Sequence, residues 1–169
     1  DTWYIGIIPF ATFIVLNYIF YRYKIFAAMD APDSTPGTVY FAFAITVLFL
    51  IFWRTDSPAD RGYIAAAGTM AMTWGDAFAA IVGRRWGRHR FTVAGSTRTW
   101  EGAAAMFGFS AVAMLLTLLL VPGSALAPLT APLGAGAALA AALAGALVAT
   151  AAEAISPAGT DNISVPLLA

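Results

Sequence analysis

Long apolar runs separated by short polar turns dominate the chain. The runs cover residues 3–21, 39–53, 63–82, 102–121 and 133–156, and the tail begins as a polar turn that leads into a further apolar segment. A helix needs about 20 mostly apolar residues to cross a bilayer. The second run just reaches that length when residues 36–38 are included. The pattern predicts an all-α, polytopic transmembrane helical bundle with about five to six spans.

Composition agrees with a membrane protein. Of the 169 residues, 60% are hydrophobic and 11% are charged, whereas soluble domains carry about 25% charged residues. The chain has no Cys and a single His, which excludes disulfides, thiolate nucleophiles and zinc sites built on His pairs. We expect one membrane-embedded domain over residues 1–169. Because the chain starts at Asp and ends within an apolar run, we expect it to be part of a longer protein.

The arginines are concentrated in one loop. Residues 83–99 contain five arginines, and the next loop, residues 122–132, contains no charge. Short loops rich in Lys and Arg stay in the cytoplasm. Alternation of the spans then brings Glu153, Asp161 and Asn162 to the same face. We expect a bacterial cytoplasmic (inner) membrane protein with its active site facing the cytoplasm.

Asp76 lies inside the third apolar run. An ionised side chain in hydrocarbon costs roughly 3 kcal/mol on insertion scales, so such residues usually have a function. Gly83 follows seven residues later, on the same helical face, and leaves room for a ligand or a neighbouring helix. Two interpretations stay open: Asp76 pairs with an Arg between helices, or it belongs to an active site.

The basic loop has two available roles. Arg84 and Arg85 can contact anionic lipid head groups, or they can hold phosphate oxygens in pairs. Gly83 and Gly87 allow close approach of the backbone to a ligand. Trp86 is interpreted as an interface anchor rather than a base-stacking platform, and no nucleic-acid partner is expected.

The segment GSTRTWEG, residues 95–102, has the pattern of a helix start. Thr99 can cap the helix, and Glu101 in the first turn suits the positive end of the helix dipole. Alternatively, Ser96, Arg98 and the free N–H groups cradle an anion, and Glu101 helps to hold the accompanying metal ion. The Gly-Lys-Ser/Thr ending of a Walker motif is missing.

Acidic residues and arginines at one membrane face suit a Mg²⁺–nucleotide site. Mg²⁺ is bound by one or two carboxylates together with phosphate oxygens and waters. The candidate carboxylates are Asp76, Glu101, Glu153 and Asp161. The Asp161-Asn162 pair can also be a simple Asx turn, and Glu153 can be an ordinary acid at a helix end, although the negative end of the dipole disfavours it.

Three blocks resemble a known family. GDAFAAIVGRRWG, GSTRTWEGAAAMF and EAISPAGTDNISVPLLA are similar to the dolichol kinase and phytol kinase family of lipid kinases. FWRTDSP and DNISVPL point to its phytol kinase branch. Two departures stand out: Arg98 replaces a Lys that is common there, and an Arg-Lys and His element near an early helix is not found.

The resemblance implies an integral membrane kinase that phosphorylates an isoprenoid alcohol, with CTP as donor and Mg²⁺ or another divalent cation. Its partners would be a prenol substrate, a nucleoside triphosphate and membrane lipid. The implied catalytic residues are Asp76, Glu101, Asp161 and Asn162, of which Asp76, Glu101 and Asp161 would bind the metal and Asp76 is alternatively the proton acceptor. Of the nucleotide-binding residues, the resemblance implies Gly83, Arg98, Thr99, Gly102 and Glu153. The basic loop, the helix start and the position before Asp76 add Arg84, Arg85, Gly87, Ser96 and Gly75 as expected members.

Two rival functions stay open. A cytidylyltransferase that makes a CDP-lipid needs a similar metal and similar arginines. An ion-coupled transporter would use Asp76 as a relay, but it predicts a water path to both faces and often an inverted repeat. The concentration of acids on one face argues against the transporter.

Overall fold

The computed structural model describes residues 8–23, 36–54, 57–93, 95–157 and 159–169. Its elements in chain order are α1 (Ile8–Tyr23), α2 (Gly37–Phe52), α3 (Gly62–Trp86), β1 (Arg90–Val93), β2 (Ser96–Thr99), α4 (Trp100–Leu120), α5 (Ala135–Ile155) and α6 (Asp161–Leu168). The predicted helical bundle is confirmed. The first five residues of the first predicted run lie outside the described residues.

The predicted number of spans is too high. Among the described residues, three helices are long and apolar enough to cross a membrane, namely α3, α4 and α5. α2 is apolar but has only 16 residues, and α6 has eight and contains Pro166. The sequence pattern overestimated the spans because an apolar run does not show how many of its residues enter one continuous helix.

A short β-hairpin between α3 and α4 was not predicted. β1 and β2 pair antiparallel, with Arg90 opposite Thr99 and Phe91 opposite Arg98. Gly95 lies in the turn with φ +81°, a left-handed conformation that glycine adopts without strain. The hairpin follows the end of α3 and leads directly into α4, so it lies against the end of the bundle where these two helices meet.

Small residues let α3 and α4 approach closely. A Cβ on Gly75 would collide with Ser110 Oγ and Met106 Sδ of α4. Ser110 is fully buried and donates its hydroxyl hydrogen to the backbone oxygen of Ala71, at 3.0 Å. Close packing and hydrogen bonds between helices are the main forces that hold helices together in a bilayer. Gly75, expected near the nucleotide, therefore lies in the α3–α4 contact.

The buried core centres on α3, α4 and α5, and α6 closes it on one side. Val165 of α6 is fully buried within the same cluster as Ala71, Met106 and Ala142. A Cβ on Gly68 of α3 would meet the Pro166 backbone oxygen at 2.7 Å. α6 therefore rests directly on α3, and this contact brings its first residues close to the C-terminal half of α3.

Candidate active site

One end of the bundle collects polar side chains from separate elements. α3 contributes Asp76 and Arg84, β2 contributes Arg98, α5 contributes Glu153 near its last turn, and α6 begins with Asp161. The end of α5 and the start of α6 are separated by only a few residues, so their acids are held near each other. The alternation of spans predicts this convergence.

A cleft of about 550 Å³ opens at this end. Cofactor and substrate pockets typically measure about 300–1,000 Å³, so the cleft is large enough for a nucleotide. Its lining contains these residues singled out from the sequence: Asp76, Gly83, Arg84, Gly87, Arg98, Thr99, Gly102 and Glu153. It also contains five others: Ala79, Ala80, Arg90, Thr97 and Ala103.

Three carboxylates form what we call the acidic cluster: Asp76, Glu153 and Asp161. Each offers an oxygen, and these oxygens all lie within 4.8 Å of one another. Glu153 and Asp161 are buried, at 5% and 7% exposure. Like charges held this close in a poorly solvated place repel each other strongly, so the cluster needs positive charge nearby.

Arg98 supplies part of that charge. Its Nε lies 2.9 Å from Glu153 Oε1 and its Nη2 lies 3.3 Å from Asp161 Oδ2. Nη2 also approaches the Glu153 backbone oxygen, at 3.5 Å. Arg98 thus links the hairpin to α5 and α6. Asp76 has no ion pair or hydrogen bond among the described residues, and Arg84 acts on it only from beyond ion-pair distance. The three carboxylates still outnumber these two arginines.

The acidic cluster fits a divalent cation. Oxygens on opposite sides of an ion are separated by about 4.2 Å for Mg²⁺ and by about 4.6–5.2 Å for Ca²⁺, as twice the usual metal–oxygen distance. The separations of up to 4.8 Å in the cluster fall in this range after at most a small contraction. Hard cations prefer oxygen ligands, and every donor in the cluster is a carboxylate oxygen.

Glu101 lies outside the acidic cluster. Its Oε1 is 2.7 Å from His89 Nδ1, and both of its carboxylate oxygens accept the His89 backbone N–H, at 3.3 Å. The backbone N–H of Trp100 donates to the His89 oxygen at 3.0 Å. Glu101 therefore closes the base of the hairpin, whereas the sequence analysis expected it to be a metal ligand.

The start of α4 confirms the predicted cap. Thr99 Oγ1 accepts the backbone N–H of Gly102 at 3.1 Å. A Cβ on Gly102 would approach both Thr99 Oγ1 and the Ala79 backbone oxygen. Glycine at this position thus lets the start of α4 sit against the end of α3, directly beside the cleft.

The remaining predicted residues have different surroundings. Arg85 lies over the Trp86 ring at 5.4 Å and is not part of the cleft lining, nor is Ser96. Asn162 donates both its backbone N–H and its side-chain N–H to Asp161 Oδ1, at 3.0 and 3.2 Å. Asn162 therefore holds the Asp161 carboxylate at the start of α6; these bonds join adjacent residues and do not form the Asx turn that was one interpretation of this pair, because that turn needs a bond to the residue two positions on.

Arg90 and Thr97 were missed because the hairpin was missed. The signal was present: Thr92 and Val93 precede the turn glycine and Thr97 and Thr99 follow it, a β-branched pattern typical of a hairpin. Strand pairing places Arg90 beside Thr99. This register brings Arg90 into the cleft, which Arg84 also lines.

Comparison with known proteins gives a consistent result. The profile of the cytidylyltransferase family matches residues 2–159. The phytol kinase of Synechocystis sp. is 32% identical over 149 residues, which cover 87% of this chain and 58% of that protein. A probable phytol kinase 1, chloroplastic, of Oryza sativa is 34% identical over 133 residues, 78% of this chain and 39% of that protein.

A probable phytol kinase, chloroplastic, of Triticum aestivum is 37% identical over 83 residues, 48% of this chain and 25% of that protein. The chain thus spans little more than half the length of the Synechocystis protein, and less of the plant proteins. No solved structure matches the chain. The similarity to the phytol kinase branch that the three sequence blocks predicted is confirmed.

Proposed function

The chain belongs to the cytidylyltransferase family, and on that premise we propose that it is the membrane-embedded part of a kinase that uses CTP to phosphorylate an isoprenoid alcohol, phytol or a related prenol. The observation that carries the proposal is the acidic cluster at the edge of an arginine-lined cleft, at one end of a bundle of apolar helices. The phytol kinases among its relatives support the acceptor, and the family supports the cytidine nucleotide.

The phosphates of CTP would lie beside Arg84 and Arg90. Both side chains are exposed, and both line the cleft. Arginine forks bind phosphate oxygens in pairs. Arg84 Nε donates to the Ala80 backbone oxygen at 3.1 Å, which fixes the base of its guanidinium and leaves its terminal nitrogens for the ligand.

The acidic cluster would hold Mg²⁺ or another divalent cation. When bound, such an ion neutralises phosphate oxygens and so favours transfer of the terminal phosphoryl group. Asp161, oriented by Asn162, and Glu153 are the buried members and would be its fixed ligands. The protein then has to position the two substrates and accept one proton, because phosphoryl transfer needs little covalent help.

Asp76 would be the proton acceptor. It is the member of the acidic cluster that Arg98 does not contact, so an acceptor hydroxyl can approach it. As the alcohol oxygen bonds to the γ-phosphorus, the bond from that phosphorus to the bridging oxygen breaks. The hydroxyl proton passes to Asp76, and CDP leaves.

The acceptor would enter from the membrane and the nucleotide from the cytoplasm. Asp76 lies on α3, one of the helices that can cross a bilayer, and Ala79, Ala80 and Ala103 give the cleft an apolar wall beside it. The arginine-rich loop next to the cleft is of the kind that stays in the cytoplasm. A prenol hydroxyl at this boundary can reach the cleft while its hydrocarbon tail stays among the helices.

The test is an assay of the full-length protein in membranes with phytol and CTP labelled on the γ-phosphate. Transfer of the label to phytyl monophosphate is expected, and Asp76→Asn should abolish it. Asp60→Asn is the matched control, because it removes an equivalent charge at a position outside the cleft. Absence of the product with the full-length protein, or full activity of Asp76→Asn, would refute the proposal.

The family match also favours a second function, transfer of the whole cytidylyl group to a phosphorylated lipid. That reaction releases pyrophosphate and places cytidine on the lipid, whereas the kinase releases CDP. CTP labelled in the base separates the two outcomes: labelled lipid indicates cytidylyl transfer, and labelled CDP indicates the kinase. The phytol kinases among the relatives make the kinase our first choice.

A further inference from the structure

Arg98 occupies the acidic cluster. We infer that Arg98 is the resident counter-charge of the acidic cluster and that a divalent cation displaces it on binding. Arg98 would therefore control the affinity of the site for the ion, instead of clamping phosphate as the sequence analysis expected. This inference rests on the proposed function, because it takes the acidic cluster to be the cation site.

The contacts of Arg98 place it in competition with a cation. It approaches Glu153 Oε1 and Asp161 Oδ2, and these acids are two of the three whose oxygens lie within 4.8 Å of one another. A cation that draws the same carboxylates together meets the positive guanidinium at close range. Two positive charges a few ångströms apart in a partly buried site repel each other strongly.

The fit of Arg98 to the acids is poor. Its Nε lies 2.9 Å from Glu153 Oε1, but this buried N–H is not directed at any acceptor among the described residues. A well-formed arginine–carboxylate pair makes two parallel hydrogen bonds to one carboxylate. Arg98 is instead shared between two acids, and one N–H is left unsatisfied, which is costly. Such a pair can be given up for a better ligand.

Phosphates have other cations available in the same cleft. Arg84 and Arg90 line it, and neither makes an ion pair within the described part of the chain. The exposed side chains of Arg84 and Arg90 can meet a nucleotide without first breaking a contact with acids. Arg98 would have to break two ion pairs to do so.

The affinity for Mn²⁺ measures this competition without any reaction. The purified full chain in detergent is titrated with Mn²⁺, and the free ion is followed by its EPR signal. Arg98→Gln should bind Mn²⁺ about tenfold more tightly than the wild type, a difference of about 1.4 kcal/mol. Arg90→Gln is the matched control: it removes a positive charge from the same cleft at a side chain that pairs with no acid, and its affinity should change less than threefold.

A second measurement uses the wild type alone, so it holds even if Arg98→Gln does not fold. 2,3-Butanedione modifies accessible arginines, and mass spectrometry gives the rate at each site. Arg98 should react slowly without added cation and several times faster with saturating Mg²⁺, because the ion releases its guanidinium. The rate at Arg61, at the other end of the bundle, should not change.

The outcomes separate the inference from the proposed function. If the wild type binds Mn²⁺ and Arg98→Gln binds it equally or more weakly, Arg98 assists the ion and the inference is wrong while the cation site stands. The same holds if Mg²⁺ leaves the Arg98 reaction rate unchanged. If neither protein binds Mn²⁺ at millimolar concentration, both the inference and the proposed cation site fail.

Discussion

The two ends of the bundle both bury acids, but the acids have different kinds of partner. At the end opposite the cleft, Asp60 is 6% exposed, and its Oδ1 accepts the backbone N–H groups of Arg54 and Gly62 at 2.8 and 3.1 Å. In the acidic cluster, Glu153 and Asp161 are as deeply buried, but their shared partner is the side chain of Arg98, and the backbone N–H that Asp161 accepts comes from its own neighbour Asn162, not from another element. Burial of an acid therefore does not by itself indicate function.

The two ends differ in whether a ligand can replace the partner of the buried acid. Backbone N–H groups are fixed by the fold, so Asp60 joins the end of α2 to the start of α3 permanently. Thr130 adds a further contact, because its hydroxyl donates to the Asp60 backbone oxygen at 3.4 Å. A guanidinium on a long side chain can move away and leave its acids to a ligand. The first arrangement serves stability, and the second is suited to binding.

We expect the largest loss of activity from a substitution at Asp161. Asp161→Asn should lower the rate of phosphoryl transfer about a hundredfold or more, the usual cost of removing one preorganised electrostatic group from an active site. Its melting temperature in detergent should not fall, because Glu153 still pairs with Arg98 and no buried charge is left alone. Rate and melting temperature are measured on the same preparation. A protein that melts much earlier would show that Asp161 is a structural acid like Asp60.

The opposite result is expected at Asp60. Asp60→Ala leaves two backbone N–H groups without their acceptor and should lower the stability by about 1–3 kcal/mol. The rate per folded molecule should be unchanged, because Asp60 is outside the cleft. The measurements are thermal melting and the phytol assay normalised to folded protein. Asp60→Asn keeps an acceptor oxygen and should fall between Asp60→Ala and the wild type in stability.

The sequence predicted that acids converge at one end of the bundle, but it did not predict the contacts that each acid makes. Alternation of spans placed Asp76, Glu153 and Asp161 at one end, and the structure brings them within 4.8 Å. The same reasoning assigned Glu101 to the metal, whereas its carboxylate lies against His89. The partner of each acid depends on how α6 and the hairpin pack, and residue spacing along single helices does not contain that information.

The helix cap at Thr99, in contrast, was predicted correctly. It was predicted because its hydrogen bond spans only three residues, so local sequence determines it. The Arg98 contacts span 55 and 63 residues and depend on tertiary packing. The hairpin was missed because its strands have only four residues each. That is too few for a clear alternation of polar and apolar residues in a loop rich in arginine.

A smaller effect is expected at Arg84. Arg84→Gln should raise the KM for CTP about tenfold, equivalent to about 1.4 kcal/mol, and leave kcat within about threefold, because a phosphate contact made equally in the ground and transition states contributes to binding alone. Steady-state kinetics with varied CTP measures both. Arg61→Gln, an exposed arginine outside the cleft, is the control and should match the wild type. A lower kcat without a change in KM would place Arg84 at the transferred phosphoryl group instead.

The smallest effect on the rate is expected at Glu101. The affinity for Mn²⁺ then distinguishes a positioning acid from a metal ligand. Glu101 holds His89 at the base of the hairpin, on exposed surface where such pairs contribute little, so Glu101→Gln should lower the rate no more than about fivefold. Its affinity for Mn²⁺ should equal that of the wild type, since the acidic cluster is intact. His89→Asn removes the same contact from the other side and should reproduce the rate of Glu101→Gln. If Glu101→Gln loses Mn²⁺ binding while His89→Asn does not, the Glu101 carboxylate reaches the ion in the working enzyme. Glu101 would then belong with the acids of the cluster, whose partner a ligand can replace.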